Sequence, residues 1–204
     1  MRKLTVAAFV SLDGVIQGPG GPQEDTSGGF ALGGWVFPFA DEQFGEVMGG
    51  IFSDPFDLLL GRKTYDIFAP YWGSRANDGG IGQQFTAVNK YVATRSGELP
   101  SPWENSEVLQ GDVVEAVHTL KQTPGRNLLT QGSANLVQSL LAGDVIDDLF
   151  LLTMSVVLGE GKRLFEGPAA PFSLKLVETR ATPAGVVVSR YARDGDVRTG
   201  SFDN

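Results

Sequence analysis

Residues 57–68 read "DLLLGRKTYDIF", an apolar run that passes through Gly61 straight into Arg62, Lys63 and Thr64. Consecutive leucines stopped by a glycine read as a strand buried on both faces, the kind found in parallel sheets. The residues after the glycine read as a short helix that Pro70 ends. A strand handing over directly to a helix is the repeating unit of an α/β fold. The two adjacent cations at this junction stand out because the chain carries 24 acids against 16 bases, a formal net charge of −8.

The same alternation extends outward from this stretch. "LTVAAFV" (4–10) is an apolar, β-branched strand that ends at "SLDG". Residues 14–39 hold eight of the 27 glycines and show neither a helical nor a strand period. A loop of that length in a compact domain reads as a lid or binding loop. Phe44, Val47, Met48 and Ile51 then fall at i, i+3, i+4 and i+7, which predicts a helix over 41–51 with Asp41 and Glu42 in its first turn. "KYVAT", "SEVL" and "NLLTQ" are further strands. "GDVVEAVHTLKQ" is a helix with Asp112 as its cap and Glu115 three residues on, and "SANLVQSLLAG" is a helix capped by Ser133 and stopped by Gly143. "DDLFLLTMSVV", "FSLKLVET" and "GVVVSRYA" close the chain as consecutive strands. The expected architecture is one α/β domain over 1–193, with about eight strands, about four helices, a mostly parallel sheet and an antiparallel C-terminal edge. Residues 194–204 form a polar tail.

Composition removes several function classes. With no cysteine and only His118, thiolate metal sites, histidine pairs and cysteine nucleophiles are excluded, so no metal is expected. An acidic chain lacks the basic face that nucleic-acid binding requires. The N-terminal "MRKLT" is neither a signal peptide nor long enough to span a bilayer, so the expected location is cytoplasmic. Chemistry must come from carboxylates, hydroxyls, backbone amides or a bound cofactor.

The placement of the bases points to an anion. Ligands of open α/β sheets bind beyond the carboxyl ends of the strands. Arg62, Lys63, Arg95, Lys162 and Arg163, five of the 16 bases, all lie just past predicted strands. Gly61 and Gly132 also open helices, whose free amides and positive dipole ends suit phosphate. A nucleotide site is the expectation. "GPGGPQ" does not satisfy G-x-G-x-x-G, and "LGEGKRLF" lacks both the first glycine and the Ser or Thr of a P-loop.

In order along the chain, "SLDGVI", "LLLGRKTYDIF", "YVATRS", "LLTQGSANLVQSLL" and "VVLGEGKRLFEG" together resemble the dihydrofolate reductase-like family. The likeness is to its branch related to the reductase domain of the bacterial riboflavin-synthesis deaminase-reductase. It covers about residues 2–192. It implies an NADPH-dependent oxidoreductase that passes hydride to a small heterocycle, as 5-amino-6-(5-phosphoribosylamino)uracil reductase does; a non-enzymatic NADP(H)-binding regulator and a pterin or folate reductase remain as alternatives. Carried over by motif, Gly61, Arg62, Lys63 and Thr64 hold the cofactor phosphates. Thr94, Arg95 and Ser96 lie beside the adenosine and its 2′-phosphate, and Gln131, Gly132, Ser133, Ala134, Asn135 and Leu136 form the turn under the pyrophosphate and nicotinamide. The family's paired glycine at that turn is Gln131-Gly132 in this chain. Asp13 matches a recurring aspartate of the riboflavin-type branch, and Asp41 or Glu42 stands where folate reductases carry their acid; each is a candidate proton donor. Trp35, Phe37 and Phe39 are an aromatic cluster, with Trp35 and Phe37 as candidates to stack on substrate, and Lys162 and Arg163 are candidates to meet an anionic one. A homodimer is expected, as in related domains.

Overall fold

A computed structural model describes residues 1–167 and 169–202. Its strands are β1 (Leu4–Ser11), β2 (Phe56–Gly61), β3 (Lys90–Ala93), β4 (Ser106–Val108), β5 (Asn127–Thr130), β6 (Asp148–Met154), β7 (Leu174–Ala181) and β8 (Val187–Arg193). The helices are α1 (Glu42–Ile51), α2 (Arg62–Gly73), α3 (Gly80–Ala87), α4 (Val113–Gln122) and α5 (Ala134–Ala142). One sheet holds all eight strands in the order β4-β3-β2-β5-β1-β6-β8-β7. Its pairs are parallel from β4 through β6, and the last two, β6 with β8 and β8 with β7, are antiparallel. The mostly parallel sheet with an antiparallel C-terminal edge is therefore the observed fold. The edge strand β7 is exposed along nearly its whole length.

Side-chain alternation divides the core between the two faces of the sheet. Leu4, Val6 and Val10 of β1 and Leu59 of β2 join Val117 of α4 and Val137 and Leu140 of α5. Their sequence neighbours Ala7, Leu58 and Leu60 face the other way, onto Tyr65 and Ala69 of α2 and Phe85 of α3. β2 is buried at every position, which is why it reads as a continuous apolar run.

Three expectations are corrected. Among the described residues there are five α-helices rather than about four, because α3 grows from "GIGQQFTA", whose glycines hide its helical character in the sequence. Burial of Phe85 against Phe52, Phe68 and Trp72 holds it in place. Pro70 lies inside α2 rather than at its end. A proline there removes only one amide bond near the last turn, and packing of Ala69 and Trp72 outweighs that loss. Ser133 stands at the cap position of α5, but its side chain makes no capping bond.

Polar clusters also lie inside the fold, at Lys90, at Arg2 with Asp57, and at Lys121, which donates to the Val145 carbonyl and Asp147. Lys90 is fully buried, and its ammonium donates to the carbonyls of Thr86, Val88 and Glu104 at 2.6–2.8 Å. Burial holds its pKa down to about 8. At the amino ends of the strands Arg2 pairs with Asp57 at 2.5 Å, both nearly inaccessible. The first residues of the polar C-terminal segment are tied back, with Ser173 bonded to Asp194, Gly195 and Asp196.

Candidate cofactor and substrate site

The carboxyl ends of β1, β2, β3 and β5 open into one cavity of about 1380 Å³. Ligand pockets for single small molecules measure roughly 300–1,000 Å³, so there is room here for an extended ligand beside a second one. Ala7, Ala8 and Ala93, small residues on the strands, form part of its floor.

The turn between β2 and α2 meets the turn between β5 and α5 in direct contact. The Gly61 amide donates to the Gly132 carbonyl at 3.0 Å. A Cβ on Gly61 would lie 2.2 Å from Ser133 Oγ and 2.8 Å from the Ser133 nitrogen, so only glycine allows the two turns to touch. Gly132 takes φ +131, a conformation that favours glycine, and the Gly132–Ser133 peptide is cis. Gly132 thus holds a backbone conformation that favours glycine although its neighbour is Gln131.

The helix starts differ in a way that suits a phosphate. α1 and α4 satisfy their first amides with their own caps, Asp41 accepting from Phe44 and Asp112 from Val114 and Glu115. α2, α3 and α5 have no side-chain cap, and of these α2 and α5 begin at the two touching turns. Their first-turn amides and dipoles are left to an anion. All thirteen residues assigned above to the cofactor line the cavity. Arg62 is braced: its Nε donates to both oxygens of Asp66, and its Nη1 to Ser96 and the Glu98 carbonyl. Arg95 is exposed and has no partner among the described residues. These residues fit a phosphorylated dinucleotide, with Arg95 as the cation still uncommitted.

The substrate side departs from expectation. Asp13 does not line the cavity. Ser11, together with the amides of Leu158 and Gly159, binds its carboxylate and holds its pKa down to about 2. At neutral pH it has no proton to give, and it serves to fasten the segment after β6 to the end of β1. Asp41 is spent as the α1 cap, Glu42 is exposed in the first turn, and neither reaches the cavity. Trp35 is buried, its Nε1 donating to the Gln17 carbonyl, while Phe37 is 83% exposed. Neither lines the cavity, because the loop folds Trp35 into its own small core with Val15 and Phe30. Arg163 turns away to the Asp13 and Gly159 carbonyls. Lys162 does line the cavity, with its ammonium on Asp25 and Ser27.

Two acids of the glycine loop, neither of them expected, face this space instead. Asp25 pairs with Lys162 at 2.5 Å and Lys63 at 3.4 Å. Burial works to raise its pKa, but the bonds from Lys162 and Ser27 prevail and hold it down to about 2. Glu24 accepts from the amides of Gly20 and Gly21. Burial, aided by the neighbouring Asp25 charge, pushes its carboxyl up despite those bonds. The signal was available in the sequence: Glu24 and Asp25 are the only acids in residues 14–39.

The family model for the RibD C-terminal domain matches residues 2–188. The chain belongs to that family. The chain is also similar to an uncharacterized protein, YyaP, of Bacillus subtilis strain 168, 28% identical over 198 residues that cover 95% of this chain and 96% of that one. Among solved structures, a diaminohydroxyphosphoribosylaminopyrimidine deaminase/5-amino-6-(5-phosphoribosylamino)uracil reductase of Thermotoga maritima superposes with a TM-score of 0.64 at 16% identity, over 95% of this chain and 57% of that one. Dihydrofolate reductase of Enterococcus faecalis, complexed with NADP(H), gives 0.57 at 16% identity over 94% and 96%. At these identities the superpositions establish a shared fold, the dihydrofolate reductase-like one. Among the described residues no helix is long and apolar enough to cross a membrane.

Proposed function

We propose that this RibD C-terminal domain protein is an NADPH-dependent reductase of a small heterocyclic substrate. The observation that carries the reading is the pair of uncapped helix starts in contact at Gly61 and Ser133, flanked by Arg62, Lys63 and Arg95 on one cavity. Family membership and the fold shared with a dihydrofolate reductase holding NADP(H) support it.

When bound, NADPH supplies a hydride with its two electrons to the carbon of a C=N or C=O bond and is left oxidised, while the nitrogen or oxygen of that bond takes a proton. The residues of this chain bind, orient and protonate. The α2 and α5 amides with Lys63 would hold the pyrophosphate, and Arg95, whose neighbour Ser96 accepts from Arg62, would hold the 2′-phosphate. The glycine loop excludes water over the reacting atoms. Glu24, whose carboxyl holds its proton to a higher pH than an exposed glutamate, is assigned as the proton source.

Calorimetric titration with NADPH and with NADH tests the cofactor. NADPH binds tighter, and Arg95→Gln removes the preference, weakening NADPH about tenfold or more with little change for NADH. Equal affinities for both in the unaltered protein sink the 2′-phosphate assignment; no binding of either sinks the reductase reading. The acid has its own signature. A group with a raised pKa is a donor below that pKa and loses its proton above it, so turnover falls as pH rises through it. Glu24→Gln lowers kcat about 10²-fold or more and flattens that limb of the profile. An unchanged pH profile in Glu24→Gln assigns the proton to water instead.

A further inference from the structure

The cavity has two chemically distinct halves. All its cations, Arg62, Lys63, Arg95 and Lys162, sit at strand-end turns or in the segment after β6. Lys63 and Lys162 are further committed to the single carboxylate of Asp25. The other half is walled by Phe44 and Met48 of α1, Phe68 and Trp72 of α2, and Ile81 and Phe85 of α3.

α2 supplies both halves and so measures their separation. Its first turn presents Arg62, Lys63 and Thr64, whereas its later lining positions are Ile67, Phe68, Tyr71 and Trp72. At the helical rise, Arg62 and Trp72 are about 15 Å apart along the axis. Over that second half the helical wall carries no charge; the cavity's acids, Glu24, Asp25 and Asp112, lie on the glycine loop and at the start of α4. The rings make a continuous aromatic face: Phe68 stacks on Phe85 at 5.9 Å between centroids, and Trp72 meets Phe85 at 5.5 Å. Arg75, just after α2, does not line the cavity; its guanidinium lies 3.9 Å over the Tyr71 ring and is bonded to the Tyr71 carbonyl and Ser74.

We infer that the second ligand of this cavity is a flat, uncharged ring system without a phosphate, a neutral fused heterocycle or quinone bearing a reducible C=N or C=O. The inference rests on the reductase reading for its division of the space: once a dinucleotide occupies the cationic half, the remaining half is apolar. A ring buried between aromatic faces gains from leaving water. A phosphate placed there loses its hydration and finds no cation to replace it. The phosphoribosyl aminopyrimidine named for the Thermotoga maritima protein is on this argument the wrong substrate class for this chain, although the fold is shared.

The test is a binding measurement on the full chain, independent of turnover. NADP+ is titrated first, and the loaded protein is then titrated with menadione, a neutral fused-ring quinone, and separately with 5-amino-6-(5-phosphoribosylamino)uracil. Menadione binds about tenfold tighter or more, with quenching of tryptophan fluorescence that Trp72→Phe diminishes. Phe68→Asp, which places a charge in the aromatic wall, abolishes menadione binding, and its NADP+ titration reports whether the variant is folded. Equal affinities, or tighter binding of the phosphorylated compound, overturn the inference. If NADP+ fails to bind but menadione still binds in a Phe68-dependent way, the cofactor reading falls and with it the exclusion of a phosphorylated substrate, while the aromatic wall as the seat of a neutral ring stands.

Discussion

Gly61→Ala weakens NADPH binding about tenfold or more, and calorimetry reads it directly. The backbone at Gly61 is ordinary extended chain, φ −73 and ψ 151, so alanine meets no conformational penalty. The effect is steric. The new methyl would stand 2.2 Å from Ser133 Oγ and 2.8 Å from its nitrogen, and the two turns must move apart by about an ångström. That displacement separates the α2 and α5 amides, which we assign to one pyrophosphate. Adding Ser133→Gly removes the hydroxyl clash and leaves the clash with the nitrogen, so the double variant recovers part of the affinity. Wild-type affinity in Gly61→Ala would falsify the claim that the two turns act as one anion site.

Asp57→Ala costs about 3–5 kcal/mol of folding stability in urea unfolding, a large share of the roughly 5–15 kcal/mol that a domain possesses. Arg2 is 4% exposed and Asp57 2%, and the remaining carboxylate oxygen accepts from the amide and side chain of Asn89. Removing the acid leaves a guanidinium buried without its counter-charge, held only by the Arg126 carbonyl and a long contact to Tyr91. Replacing both partners by apolar residues, as in Arg2→Met with Asp57→Leu, is expected to restore most of the loss, because the penalty belongs to the unpaired charge rather than to the absent bridge. A cost below about 1 kcal/mol for Asp57→Ala is the contrary result. The pair joins the segment before β1 to β2 at the end of the sheet away from the cavity, so the folded fraction of either variant keeps its NADPH affinity.

The fold was legible wherever local pattern and burial agree. The β2 run, the period of α1 and the Asp112 cap each depend on residues within a few positions of one another, and each appears where the pattern places it. α3 was not legible, since "GIGQQFTA" has poor helix propensity and is held by Phe52, Phe68 and Trp72, distant in sequence. The thirteen positions carried over for the cofactor do surround one cavity, because glycines and bases at strand ends are converted to neighbours by the parallel sheet itself. The acids were less tractable. Asp13, Asp41, Glu42 and Glu24 are alike as letters. What separates them is the Ser11 hydroxyl with two amides on Asp13, the helix start on Asp41 and Glu42, and the burial of Glu24, none of which a linear pattern encodes.

The sequence by itself determined the sheet class, the end of the sheet at which glycines and cations gather and the family, because strand-to-helix junctions, their glycines and their cations are local features. Only the tertiary structure decided which helix starts stay uncapped, that Asp25 engages both Lys63 and Lys162, and that the α1–α2–α3 half of the cavity is without charge. Those are properties of distances between residues far apart in the chain, and desolvation and ion pairing act through distance, not through order.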